Sequence, residues 1–134
     1  MTTPAQSARS EAPPQVAMLQ MIAGFWVSRA ICVIAELSIP DHLKQGPRSA
    51  QELAELTGTN APSLHRLLRA LASVGVFVED AGEFALTPMS ETLQAGVPGS
   101  IRSFAISELS GEHYDAWRDL MHSVKTGEIA FDHA

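Results

Sequence analysis

Residues 16–37 are the most apolar stretch of the chain, and the few polar residues inside it decide what it can become. Gln20, Ser28, Arg29 and Glu36 interrupt it, and its longest unbroken apolar run is residues 21–27. A membrane-spanning helix needs about 20 mostly apolar residues, and an arginine near its middle costs roughly 3 kcal/mol. A signal peptide fits no better, because Glu11 stands where a basic segment belongs and Arg29 follows the apolar core. The remaining reading is one long helix over residues 15–37. Its Met18, Leu19, Ile22, Phe25, Trp26, Ile31, Val33, Ile34 and Leu37 are spread around the circumference. A helix apolar nearly all round must be covered on most of its faces. With 134 residues the chain has the mass of one domain, so part of that cover is expected to come from a second copy.

The flanking segments are ordinary. Residues 1–14, rich in Pro, Ser, Thr and Ala, read as a leader without an apolar period, and residues 15–134 as the domain. Pro40 opens a short helical turn closed by Gly46-Pro47. Ser49-Ala50-Gln51-Glu52 has the spacing of a capping box, and the helix it starts is predicted to stop at Gly58. Asn60 caps the next helix, whose Leu64, Leu67, Leu68, Leu71 and Val74 recur at helical spacing up to Gly75. Two β-type runs then flank Asp80-Ala81-Gly82 as a hairpin. Thr87-Pro88 caps a further short helix, and two late helices follow, from Ser100 to about Leu109 and from Glu112 to about Lys125. The predicted fold is mainly α: a winged helix, meaning a helix-turn-helix plus a short hairpin, with long N-terminal and C-terminal helices for dimerisation.

Catalytic chemistry finds no foothold. The five histidines are scattered, with no i, i+4 pair around a glutamate, and His42 and His65 read as helix-surface residues. Glu108 with Glu112 and Asp115 with Asp119 read as solvated helix faces. Cys32, the one cysteine, excludes an intramolecular disulfide and a multi-cysteine zinc site, and reads as a small buried hydrophobe. The nine glycines never fall as Gly-x-Gly, and no Gly-Lys-Ser/Thr occurs, so neither dinucleotide fingerprint nor phosphate-binding loop is present. No catalytic, cofactor-binding or metal-ligating residue is expected.

A helix-turn-helix raises DNA binding as an alternative. The outward face of its second helix carries Arg66 and Arg69, which suit phosphate or guanine. The wing carries Glu79, Asp80 and Glu83, and the formal net charge is -6. Such carboxylates repel phosphate instead of releasing counterions, so neither nucleic acid nor an anionic membrane is an expected partner. A cytoplasmic location follows from the same composition.

Aromatic and methionine side chains form the remaining set. Met18, Met21, Phe25, Trp26, Tyr114, Trp117 and Met121 are read as building a subunit interface and one wall of an apolar pocket for an aromatic ligand. Leu19, Ile22, Phe25, Trp26, Ile31, Val33 and Ile34 are read as the dimer interface. The plainer possibility for all of them is ordinary core.

The segments GFWVSRAICVIAELSIPDHL, SAQELAELTG, SLHRLLRALASVGVF, GEFALTPMSETL and AWRDLMHSVKTGEIAF occur in that order. Together they resemble the N-terminal half of bacterial S-adenosylmethionine-dependent small-molecule O-methyltransferases, over about residues 16–131. The resemblance implies a homodimerising module whose winged helix is scaffold, and whose first and late helices lend residues to an acceptor pocket. It also implies S-adenosylmethionine for the full-length family, with base and cofactor site in a Rossmann-like domain that has no counterpart among these residues. The function expected is therefore dimerisation and acceptor-pocket formation, not catalytic alone, for a small hydroxylated aromatic or polyketide-like metabolite. A separate catalytic half is a further candidate partner. The alternatives are a winged-helix transcription regulator and a stand-alone small-molecule binder or inactive partner of a longer methyltransferase.

Overall fold

The computed structural model describes residues 12–133, so all but the end of the expected 1–14 leader lies outside the described residues. The first helices are α1 (Pro14–Ile22) and α2 (Gly24–Glu36). They are nearly continuous: the Ala23 amide donates to the Leu19 carbonyl at 3.0 Å, and the Trp26 amide donates to the Ala23 carbonyl at 3.0 Å. The long helix predicted over residues 15–37 is thus present, tightened by one turn at Ala23. By length and composition Pro14–Glu36 could cross a membrane, with a mean hydropathy of 1.7. Its second half is instead built into the protein.

Ser38 takes the left-handed conformation, φ 57°, and turns the chain into α3 (Ile39–His42). Next come β1 (Arg48–Ser49), α4 (Ala50–Thr57) and α5 (Ala61–Ser73), the last two forming the helix-turn-helix. The local chemistry is the predicted one. Glu52 N donates to Ser49 Oγ at 3.1 Å while Ser49 N donates back to Glu52 Oε1 at 3.4 Å. Gly58 ends α4 at φ 69°, a conformation in which a Cβ would be strained. The Asn60 side chain accepts from Ser63 N at 3.0 Å.

The hairpin is β2 (Phe77–Asp80) and β3 (Glu83–Leu86), paired antiparallel with Phe77 opposite Leu86 and Asp80 opposite Glu83. Ala81 and Gly82 both have positive φ, the two-residue turn whose twist matches the strands. β1 adds a third strand on the far side of β3, giving the order β1-β3-β2. That strand was not expected; it puts Arg48 opposite Phe84 and Ser49 opposite Glu83. Then follow α6 (Pro88–Glu91), α7 (Arg102–Glu108), α8 (Gly111–Arg118), α9 (Leu120–Thr126) and α10 (Ala130–His133). The late helix expected over residues 112–125 is therefore two, broken at Asp119, and α10 is additional.

The core lies where α2, α3, α4, α5, the sheet and α7 meet, and is built from Ile34, Ile39, Leu53, Leu68, Leu71, Phe77 and Phe84, all buried. Two arginines fasten α2 to the late helices. Arg29 Nη1 donates to the Leu109 carbonyl at 3.0 Å, with its guanidinium 5.7 Å from the Tyr114 ring centroid. Arg102 Nε donates to the Ala35 carbonyl at 3.2 Å, and its Nη2 donates to Ser38 Oγ at 3.2 Å, which holds the left-handed turn. A hydrogen bond from a charged donor contributes more than a neutral one, about 1.5–3 kcal/mol.

Candidate functional site

The core leaves half of the long helix uncovered. No residue of α1 is buried, and Met18, Leu19, Met21, Ile22, Phe25 and Trp26 are all exposed, Met21 to 79% and Trp26 to 65%. Further along, α2 turns inward, so Ile31 and Val33 are half-buried. Ile34, expected at a dimer interface, is wholly buried in the protomer's own core. It faces its own fold and is withdrawn from that surface. The cause is plain: a helix apolar on every side gives no period from which the inward face can be chosen.

The late helices carry a matching set of uncovered side chains. Phe104, Trp117, Leu120, Met121, Val124, Ile129 and Phe131 are exposed, Trp117 to 66%. Scattered apolar residues on a surface mean little, but this many on neighbouring helices is what soluble monomers avoid.

Two recesses border this surface. The larger is an open groove of about 700 Å³ between the α1–α2 run and α5. Its floor is apolar (Val27, Ala30, Leu67 and Leu71 among others), with Gly24 and Trp26 on one wall and Arg66 on the other. No carboxylate is among its lining residues. The smaller recess, about 250 Å³, is a cleft between Phe25, Tyr114, Trp117 and Arg118. Arg118 Nη2 donates to Asp115 Oδ1 at 2.7 Å in a largely exposed pair at the cleft edge.

The seven residues read as a pocket wall are thus divided. Phe25 and Trp117 share the cleft, Trp26 belongs to the groove, and Met18, Met21 and Met121 lie outside both. Tyr114 joins Phe25 and Trp117 in the cleft; Arg118 beside them is the residue that the sequence reading misses, although an aromatic and a cation at i, i+4 share one helix face. Arg66, a candidate DNA contact by its outward position in the sequence, lines the groove.

The winged helix pairs one of its cations with its own wing. Arg69 Nε lies 3.7 Å from Glu79 Oε2, so one of its two outward arginines faces a wing carboxylate. That Glu79 oxygen is buried without a hydrogen-bond partner, leaving Arg69 as its compensation. Arg66 Nη2 donates to Ser63 Oγ at 3.4 Å. His65, read as a surface residue, stands edge-on to the Phe84 ring with centroids 5.8 Å apart.

No chemistry gathers elsewhere among the described residues. No three His, Cys, Asp or Glu side chains are placed to hold a metal ion. Cys32 is buried, and burial pushes its thiol above the ordinary range, with Glu36 adding to the rise and Arg29 opposing it. Such a thiol is a poor nucleophile.

Comparison with known proteins gives this geometry a family. Residues 19–96 match the model of the O-methyltransferase dimerisation domain. A phenazine O-methyltransferase from Lysobacter antibioticus is 46% identical over 116 residues, covering 86% of this chain and 34% of its own. A mitomycin biosynthesis 6-O-methyltransferase from Streptomyces lavendulae is 41% identical over 132 residues, covering 96% of this chain and 37% of its own. The solved structure of LaPhzM superposes with a TM-score of 0.86 at 44% identity, over 90% of this chain and 36% of that one. The chain spans about a third of the length of the curated relatives it matches.

Proposed function

The chain belongs to the O-methyltransferase dimerisation domain family, and from that premise we propose that it pairs with a second copy and forms one wall of an acceptor pocket. The methyl acceptor is a small hydroxylated aromatic or polyketide-like metabolite, and the location is cytoplasmic. The observation that carries the pairing is the uncovered α1, which has no buried residue despite its apolar composition. Hiding about 1,000 Å² of apolar surface at ~25 cal/mol/Å² offers about 25 kcal/mol, against association costs of roughly 4–15 kcal/mol.

The pocket wall is assigned to Phe25, Tyr114 and Trp117. Flat rings favour a flat ligand, and Arg118 at the edge offers a charged donor for a phenolate or carboxylate oxygen. Methionines 18, 21 and 121 take the role of adaptable cover at the subunit boundary.

S-adenosylmethionine, which the family implies, does not fit this chain's own residues. The sheet is antiparallel and three-stranded, and no Gly-x-Gly cradle occurs in the sequence, so neither described strand-to-helix junction, Ser49–Ala50 or Leu86–Pro88, is the glycine-rich turn that such a cofactor needs. No step of methyl transfer is assigned to these residues. Their part is to hold an acceptor and keep water from it; the base and methyl donor belong to a catalytic partner segment. Light scattering through a dilution series tests the pairing: a dimer is expected at micromolar concentration, and a folded monomer there refutes it.

A further inference from the structure

The cleft of Phe25, Tyr114, Trp117 and Arg118 has one wall on α2 and the other on α8. Tyr114, Trp117 and Arg118 stand at i, i+3 and i+4 and so share one face of α8. Phe25 and Arg29 stand at i and i+4 on α2 and likewise share a face. The width of the cleft depends on how α8 is held against α2, and helix packing does little there: α2 packs closely on α7 but only sparsely on α8. Nor does α8 fasten itself at its start. Its N-cap Ser110 makes no capping hydrogen bond, and the hydroxyl donates to the Ile106 carbonyl of α7.

Arg29 supplies the missing tie. From one turn beyond Phe25 its guanidinium lies 5.7 Å from the Tyr114 ring centroid, and Nη1 donates to the carbonyl of Leu109, the residue that closes α7. The same Nη1 lies 3.2 Å from Cys32 Sγ, so the head is held on α2 as well as on the late helices. Arg29 is half-buried, which strengthens a cation–ring contact relative to one in full solvent. Arg118 does not duplicate it, since that side chain pairs with Asp115 on its own helix. Arg102 fastens α2 at Ala35 and Ser38, at the other end of the helix from Phe25.

We propose that Arg29 is a positioning residue for the acceptor cleft: its cation, seated beside Tyr114 and bonded to Leu109, sets the orientation of the Tyr114–Trp117 wall opposite Phe25. This rests on the acceptor-wall reading above and adds to it the residue that holds the wall. Arg29 does not line the cleft; it acts on a ligand through Tyr114. A radial gap of about 0.5–1 Å already forfeits a quarter to a half of a dispersion contact. A small tilt of α8 therefore weakens a stacked ring although every lining side chain remains.

Calorimetry with 2-naphthol on the 134-residue chain, together with the near-UV circular dichroism of Trp117 in a Trp26→Phe background, tests the assignment. Arg29→Met should weaken 2-naphthol about tenfold, the size of a partly desolvated cation–ring contact, and should change the Trp117 signal. Arg29→Lys, which keeps a cation and a donor, should recover part of the loss. Arg102→Met removes the hydrogen bonds to Ala35 and Ser38, away from the cleft. It should leave affinity within about twofold and the Trp117 signal unchanged. In a Tyr114→Leu background, Arg29→Met should cost less than about twofold more, because the ring it acts through is gone. Equal losses from Arg29→Met and Arg102→Met, or losses that simply multiply in the double variant, overturn the positioning role. A wild type that takes up no 2-naphthol refutes the acceptor-wall reading; the Trp117 signal then decides the positioning alone, and one left unchanged by Arg29→Met overturns it. If Arg29→Met fails to fold, Arg29→Lys with and without Tyr114→Leu replaces it: coupling between the two supports the role and its absence overturns it.

Discussion

Arg29 reaches from the middle of α2 to the carbonyl oxygen of Leu109, 80 positions along the chain, at 3.0 Å. The guanidinium also donates to Cys32 Sγ at 3.2 Å and lies over the Tyr114 ring. This cation thus shares with Arg102 the polar join between the inner half of the long helix and the late helices. The residue that argues against a membrane span in the sequence is the same one that anchors the helix into the protein.

Arg29→Met, which keeps the aliphatic stem and removes the donors, is expected to cost about 1.5–3 kcal/mol. Urea unfolding followed by circular dichroism measures it. The loss should exceed that of Arg118→Met, whose ion pair with Asp115 is largely exposed. Equal losses would show that Leu109 and Tyr114 gain nothing from Arg29.

The two halves of the long helix should respond oppositely to substitution. Ile34→Ala opens a cavity in a closed core and is expected to cost about 2–5 kcal/mol of folding stability. Ile22→Asp, at a side chain 60% exposed, should leave monomer unfolding nearly unchanged and abolish the dimer at micromolar concentration. Unfolding curves across a hundredfold range of protein concentration separate the effects, since only association makes the midpoint concentration-dependent.

That contrast marks how far the sequence could be read. Ser49 with Glu52, Asn60, Gly58 and Asp80-Ala81-Gly82 are local devices whose partners lie within a few residues, so their spacing alone predicts the helix-turn-helix and the wing. β1 is two residues long and exists because Arg48 and Ser49 meet Phe84 and Glu83, 36 and 34 positions away in the chain. No local signal encodes such a pairing. The inward face of α2 is hidden for another reason: with Ile31, Val33 and Ile34 all apolar, which one is buried depends on where α7 packs. The candidate site was legible as a class of side chain. The division of Phe25 and Trp117 from Trp26 required the fold.

Cys32 makes stability depend on pH at the alkaline end. Its thiol is raised above the ordinary value of 9.0, chiefly by burial. Above that value the unfolded chain ionises first and binds fewer protons than the folded one. The slope of unfolding free energy with pH is then negative, so this contribution is full below about pH 9 and is lost as pH rises through the folded thiol's range. Cys32→Ala should remove that part of the alkaline decline, read from urea midpoints between neutral pH and pH 10. In the native wild type, a thiol reagent at pH 8 should label Cys32 only as fast as the chain opens.

The cleft between Phe25 and Trp117 carries the ligand half of the proposed function, and Trp117 is its own reporter. A planar hydroxylated aromatic seated against the indole should change tryptophan emission saturably, whereas an aliphatic alcohol of similar size should not. Trp26, the other tryptophan, lies on the groove, so the two indoles can be told apart by substitution. Trp26→Phe should keep the ligand-dependent change, and Trp117→Phe should abolish the signal. Because a phenyl ring still stacks, calorimetry on Trp117→Phe should show affinity reduced by less than about tenfold, while Phe25→Ala, which removes one wall, should weaken binding by about ten- to a hundredfold, or roughly 1.4–2.8 kcal/mol. Arg118→Met should weaken ligands bearing a phenolate or carboxylate and spare their uncharged analogues, because a guanidinium distinguishes ligands by charge and not by area. If emission saturates equally in Trp117→Phe, the ligand sits in the groove, and the acceptor wall must be moved from the late helices to α5.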